Sequence, residues 1–399
     1  MMKKRILLGG LFAFCFLGIL FAMTASAPIE NLEVRATQAA IAAEKLDWQA
    51  DVTPLSLLSR EERLKRLGGR LSEVPVQVPA ESVLAPMALP AVLDWRNYGG
   101  NWITSVKDQG DCGSCWAFAT TALLEAMVKI SKNISQDIDL SEQMLLSCSN
   151  AGDCDLGGYE YKAAEYIKRT GIPNESCYPY SAIHSPCNPC SGWAARVVRI
   201  TSWGWVAGSS AAIETALQGG PVTSWMAVYS DFYHYRSGVY QPTASASYQG
   251  GHFVVVVGYN HAERYWVCKN SWGKAWGENG FFRIKWGTSG MGDQVLRMER
   301  PILNNTAPVL QDIPDCAGEE GKTLAFALMA TDSDGDPLEF SADSLPDGAV
   351  LDAASGAFFW TPDHTQSGIF NILFMVSDGI AVAAQTVKIT VQNVKRKQW

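Results

Sequence analysis

The segment Gln109-Gly110-Asp111-Cys112-Gly113-Ser114-Cys115-Trp116-Ala117-Phe118 sets a thiol where a helical pattern begins. Unpaired amides and the positive end of the dipole at a helix start favour a thiolate, and Gly113 and Ser114 leave the sulfur approachable. Taken alone, the two cysteines of C-x-x-C read equally well as a disulfide or as zinc ligands. His252 and Asn270 break the tie. They lie 137 and 155 residues after Cys115, His252 behind Gly250-Gly251 at the head of a valine run and Asn270 within Cys268-Lys269-Asn270-Ser271-Trp272-Gly273. An imidazole can take a thiol proton, and an amide oxygen can fix the imidazole tautomer without adding charge. Such a site is expected to rest at neutral pH as a thiolate–imidazolium pair. The chain has five histidines, and His184, His234, His261 and His364 are expected at the surface or in loops.

The elements that must hold these groups are readable too. Trp116 to Lys132 is helix-like, with Leu123, Leu124, Met127 and Val128 in one stripe, and Tyr159 to Lys168 is a second helix. From Phe253 the pattern turns to strands: Phe253 to Val257, Tyr265 to Lys269 and Phe281 to Ile284. Helices first and strands later predict an α+β domain in two lobes over residues 91–303. Upstream, residues 28–90 carry two charged helical patterns, Glu30 to Asp47 and Arg60 to Leu67, stopped by Gly68-Gly69. Asn304 to Pro308 reads as a linker. Short alternating strands follow it, with Phe370, Ile372, Phe374 and Val376 on one face and Val387, Ile389 and Val391 on another, and they predict a small β-sandwich over 304–399.

At 399 residues the chain exceeds one ordinary core. Its net charge of −8 resides in the tail, where residues 304–399 hold 13 acids against 5 bases, while 91–303 hold 18 against 17. No basic surface for nucleic acid or anionic membrane is expected. Lys3, Lys4 and Arg5, the apolar run Ile6 to Met23 and Ala25-Ser26-Ala27 read as an export signal over 1–27, with an uncleaved anchor as the alternative. A secreted or cell-envelope location follows. Ten cysteines less Cys15 leave nine, an odd count that suggests a thiol kept free in an exported chain.

Together these motifs resemble the papain and cathepsin family. Leu93-Asp94-Trp95-Arg96 resembles a mature start, and Leu140-Ser141-Glu142-Gln143 leads toward Cys148 as in that family. Cys154-Asp155-Leu156-Gly157-Gly158, Tyr178-Pro179-Tyr180 and Ser237-Gly238-Val239-Tyr240 match in order. The resemblance implies a two-lobed papain-like domain, one helical and one β-barrel-like lobe, and a thiol endopeptidase that needs no cofactor. Cys115 is then the nucleophile, His252 the base and Asn270 its orienter. Trp272 shields that contact, Gln109 joins the Cys115 N–H in an oxyanion hole, and Gly157 and Gly158 bind substrate main chain. The resemblance also pairs Cys112 with Cys154 and Cys148 with Cys187. Cys177 and Cys190 flank the latter pair and are expected to bond to each other, while Cys268 is expected to be an inert core thiol.

Residues 28–90 resemble the short propeptides of cathepsin B-like enzymes, which implies an inhibitor in cis that is cut between Gln77 and Ala91. The tail resembles bacterial cadherin-like and Ig-like modules, and Asp332, Asp334 and Asp336 are candidate ligands for a structural Ca²⁺. The expected partners are protein or peptide substrates, the chain's own propeptide and, for the tail, a surface or polymer. A monomer is expected. The reading from another class is an adhesion protein with a vestigial protease domain, against which all four site residues stand.

Overall fold

The structure, a computed structural model, describes residues 32–72, 89–303, 306–333, 338–378 and 381–394. The export signal, the greater part of the expected cleavage region, Asp334 and Asp336 lie outside them.

The N-terminal segment gives α1 (Leu32–Glu44), the short strand β1 (Trp48–Ala50) and α2 (Arg60–Leu64). Ser59 caps α2 by accepting from the Glu62 amide while the Glu62 carboxylate takes the Ser59 amide, a reciprocal pair that sets where this short helix begins. After β2 (Val92–Asp94) comes α3 (Cys115–Lys132), the central helix. It is rich in Ala and Leu, carries Lys129 and Lys132 in its last turn, and stops at Asn133 in the left-handed conformation. Around it pack α4 (Glu142–Cys148), started by the Ser141 side chain, the two-residue strands β3 (Gly152–Asp153) and β4 (Gly157–Gly158), and α5 (Glu160–Arg169).

The second lobe is a nine-stranded sheet. Its later elements are β5 (Val198–Val206), α6 (Ser210–Leu217), β6 (Val222–Tyr229), β7 (Tyr235–Tyr240), β8 (Tyr248–Asn260), β9 (Tyr265–Lys269), β10 (Phe281–Lys285) and β11 (Val295–Leu303). The order is β1-β7-β10-β9-β8-β6-β11-β5, with β2 also on β8. β8 lies between β9 and β6 and is covered by α3, which is why its Phe253 to Val257 run is uninterrupted rather than alternating. The N-terminal segment contributes β1 to the sheet edge, so it is part of the same core.

Three disulfides, Cys112–Cys154, Cys148–Cys187 and Cys177–Cys190, tie the loops of the helical lobe together. Among the described residues Cys268 in β9 is buried without a disulfide partner, and Cys316 is half-buried and likewise unpaired. Beyond residue 306 the chain is all-β. A four-stranded sheet holding Gly368–Ser377 and Val382–Gln392 faces a three-stranded one, with Phe358, Trp360, Phe374, Val387 and Ile389 between them. The two regions touch where Gln136 Nε2 reaches Met375 Sδ at 2.8 Å and Asn174 Nδ2 donates to the Asp378 carbonyl at 3.1 Å. Among the described residues no helix is long and apolar enough to cross a membrane, and no three His, Cys, Asp or Glu side chains gather to hold a metal.

Candidate active site

Cys115 is the first residue of α3, His252 stands near the head of β8, and Asn270 follows directly after β9. All three are buried. Because β8 and β9 are antiparallel neighbours, with Val255 opposite Lys269, the residues at the head of one and the tail of the other meet. His252 Nε2 lies 2.8 Å from Asn270 Oδ1, and the Ser271 amide donates to the same oxygen at 2.8 Å. The backbone donor fixes which end of the Asn270 amide faces the ring. An amide oxygen only accepts, so Nε2 carries the ring proton and Nδ1 presents a lone pair. Among the described residues that Nδ1 has no hydrogen-bond partner, and Trp272 covers the ring at a centroid distance of 4.8 Å.

The Cys115 sulfur receives the backbone amide of Phe253, the residue after His252, so the helix tip and the strand head converge. Gln109 is fixed by Ser271, whose hydroxyl donates to Oε1 at 2.7 Å. Its Nε2 donates to the Cys112 carbonyl at 2.8 Å and to the Arg66 carbonyl at 3.1 Å. Ser271 sits inside the motif read from sequence, but nothing there marks its hydroxyl as the clamp on Gln109.

The cleft is occupied by the chain's own N-terminal segment. Gly68 and Gly69 both donate to the Gly251 carbonyl, at 3.1 and 2.9 Å. On the other wall Gly158 donates to the Gly68 carbonyl at 2.8 Å, and Arg70 donates to the Gly158 carbonyl at 3.0 Å. No side chain fits at this diglycine: a Cβ on Gly68 would stand 1.9 Å from the Gly113 carbonyl oxygen, and one on Gly69 would stand 2.7 Å from the His252 nitrogen. From the sequence Gly68-Gly69 reads as a helix stop, whereas in the structure it is the part of the segment that passes over the thiol. Arg66 adds ion pairs to Asp108 at 2.7 Å and Asp111 at 3.4 Å.

This cover reverses the expected charge state. Burial pushes the Cys115 thiol up to about 12, only partly offset by the amides of Phe253, Gly68, Trp116 and Cys115 itself. Burial also pulls the His252 imidazole down to about 4 against the Asn270 hydrogen bond. With the cleft covered the pair is therefore neutral at pH 7, not a thiolate–imidazolium pair. Desolvation of both partners outweighs the helix-end field.

A second histidine departs from expectation. His184, His261 and His364 are exposed, but His234 is buried against the N-terminal segment. Its Nδ1 lies 2.8 Å from Ser56 Oγ, and its Nε2 lies 3.7 Å from Glu33 Oε2, a carboxylate that Arg63 also pairs. Burial, then the Arg63 charge, lowers its pKa to about 4, against the pull of Glu33. A base whose pKa is depressed in the docked state loses docking stability as pH falls from the ordinary value near 6.5 toward 4. The loss is about 3 kcal/mol at most. Hydrogen exchange on the uncut chain should show amides of residues 48–58 losing protection over this range, less so in His234→Gln. Equal loss in both chains, or none, would remove His234 from the account.

The family model for papain family cysteine proteases matches residues 89–298, and one for "Putative Ig domain" matches 307–392. The chain belongs to the papain family. It is 39% identical over 206 residues to a cathepsin L-like proteinase of Fasciola hepatica, a match covering 49% of this chain and 60% of that one. It is likewise 39% identical over 203 residues to zingipain-2 of Zingiber officinale, covering 49% and 88%. The chain spans between 53% and 60% of the length of several such curated relatives. Among solved structures it resembles digestive procathepsin L 3 of Tenebrio molitor (TM-score 0.57, 27% identity, 69% of this chain and 94% of that one). It also resembles a recombinant stem bromelain precursor (TM-score 0.55, 30% identity, 67% and 88%). Both neighbours are precursor forms by their titles, and both matches extend beyond the 89–298 segment in share of chain.

Proposed function

We propose that the chain is the latent precursor of an exported thiol endopeptidase, with Cys115 as nucleophile, His252 as base and Asn270 as its orienter. The observation that carries this reading is the clamp on His252: Asn270 Oδ1, itself held by the Ser271 amide, takes Nε2–H and leaves Nδ1 able to accept a proton. Once the cleft segment leaves, Nδ1 takes the proton of Cys115 and the sulfur attacks a substrate carbonyl carbon. The oxyanion receives the Cys115 N–H and the Gln109 N–H that Arg66 now occupies. The imidazolium returns its proton to the leaving amine, and a thioester remains on Cys115. Water, deprotonated by Nδ1, then cleaves that thioester, and the thiol is restored.

The 28–90 segment is read as the inhibitor in cis, since its Gly68-Gly69 lies in the cleft and its Arg66 carbonyl takes up the Gln109 donor. Export accords with three disulfides in one domain. The tail is assigned to adhesion on a surface or polymer, and the working unit to a monomer. A poor ester substrate mixed with the processed chain and quenched in acid should leave its acyl group on Cys115 in a peptide map. Turnover with no acyl group on that residue would sink the thioester route.

A further inference from the structure

Outside the catalytic cleft, β5 carries two tryptophans on one face. Trp203 and Trp205 are two residues apart, so their rings leave the same side of the strand, and both are half-buried. β5 is an edge strand, three places from β8 in the sheet, which keeps this face off the strand of His252. On the neighbouring helix α5, Tyr161, Glu165 and Arg169 follow at four-residue steps along one side and line a groove of about 600 Å³ together with the two indoles. The Tyr161 ring lies 6.3 Å from Trp203 and 6.0 Å from Trp205, and the two indoles meet at 85° with centroids 5.5 Å apart. Trp203 donates Nε1–H to the Glu165 carboxylate at 3.0 Å, so that ring is a fixed platform. Glu165 is thereby taken, and Lys168 approaches it at 3.9 Å. Lys162 and Arg169 stand exposed along the groove, and among the described residues neither makes an ion pair; Lys162 rests over the Tyr159 ring at 4.4 Å.

We propose that this groove binds an acidic polysaccharide, a chain of pyranose rings that bear carboxylates. The C–H face of a pyranose packs on the flat face of an indole, and two indoles set nearly at right angles offer it a floor and a wall. The carboxylates pair with Lys162 and Arg169, the two cations that lack an acid of their own. The volume falls within the range of about 300–1,000 Å³ typical of sites for small ligands, enough for a few sugar rings. An acidic peptide would use the cations but has no flat apolar face to lay on the rings. Ser72 borders the groove where the Gly68-Gly69 strap leaves the cleft, so a polymer held here lies beside the cleft and brings the enzyme to protein embedded in that polymer. The binding goes beyond the peptidase reading and does not depend on it.

The test is titration calorimetry on the full chain after processing. The probe is hexagalacturonate, with cellohexaose as a control for rings without charge and hexaglutamate as a control for charge without rings. Hexagalacturonate should bind with a Kd below about 1 mM, at least about tenfold tighter than either control. Trp205→Ala should weaken it at least about tenfold. Because removing a half-buried indole can disturb the fold, the double variant Lys162→Gln/Arg169→Gln, on the exposed side of α5, gives a second check. It should weaken hexagalacturonate about tenfold, leave cellohexaose unchanged and abolish the loss of affinity with added salt. Hexaglutamate binding as tightly as hexagalacturonate would make the groove an acidic-peptide site and overturn the inference. Unchanged affinity in both variants, or no binding of hexagalacturonate by the wild-type chain at about 1 mM, overturns it as well. Peptide turnover by the same samples is read separately, so failure of the polysaccharide site leaves the peptidase reading standing.

Discussion

Replacing Cys115 by alanine should lower kcat of the processed chain by on the order of 10⁵-fold, with the fold intact. Loss of a catalytic nucleophile in a hydrolase carries a penalty of about that size, because the remaining oxyanion donors and binding contacts supply only the residual rate. The side chain is small and buried, so the packing cost of removing one sulfur is about 1 kcal/mol and leaves thermal unfolding nearly unchanged. Peptide turnover and a melting curve on the same two samples check both halves. Turnover that persists within tenfold of the wild type would mean that another group attacks the carbonyl, and the assigned chemistry would be wrong.

The second large effect concerns latency. Gly68→Val puts a branched side chain where even a Cβ would lie 1.9 Å from the Gly113 carbonyl oxygen, and backbone cannot yield as a flexible side chain would. Overpacking of this kind costs about 3 kcal/mol, enough to raise the uncovered fraction about 100-fold. The uncut variant should therefore alkylate at Cys115 about 100 times faster than the uncut wild type. Gly318→Ala serves as a control, because a Cβ there meets nothing within 4 Å. Equal rates in all three chains would show that Gly68 does not guard the thiol.

Much of this arrangement was legible in the sequence, for physical reasons that can be named. A thiol before an Ala- and Leu-rich helical stripe reads as a helix-tip cysteine, and α3 does begin at Cys115. The valine run reads as a doubly covered strand, and β8 is one. His252 and Asn270 stand where the ends of two antiparallel strands meet, which the strand patterns foreshadow. The charge state was not legible. It depends on desolvation by residues more than forty positions upstream, and no local pattern in Gln109 to Phe118 reports that cover. His234 was misplaced for the same reason: its neighbours Ser56 and Glu33 come from the N-terminal segment. The contact of the Trp225 indole N–H with the Gly69 carbonyl was not legible because β6 is buried along nearly its whole length, so no alternation separates a core tryptophan from one that meets the strap. The β-sandwich was readable from its alternation, while the Asp332 site was not resolved by it, since two of its three candidate ligands lie outside the described residues.

The Gly68-Gly69 strap holds Cys115 as a buried neutral thiol, and its removal converts that thiol into a reactive thiolate. Iodoacetamide labelling of Cys115 at pH 7, followed by mass spectrometry before and after the chain is cut between residues 77 and 91, measures this directly. The predicted result is slow labelling of the uncut chain and labelling at least about 100-fold faster once the segment has left. Equal labelling of the two forms would contradict it.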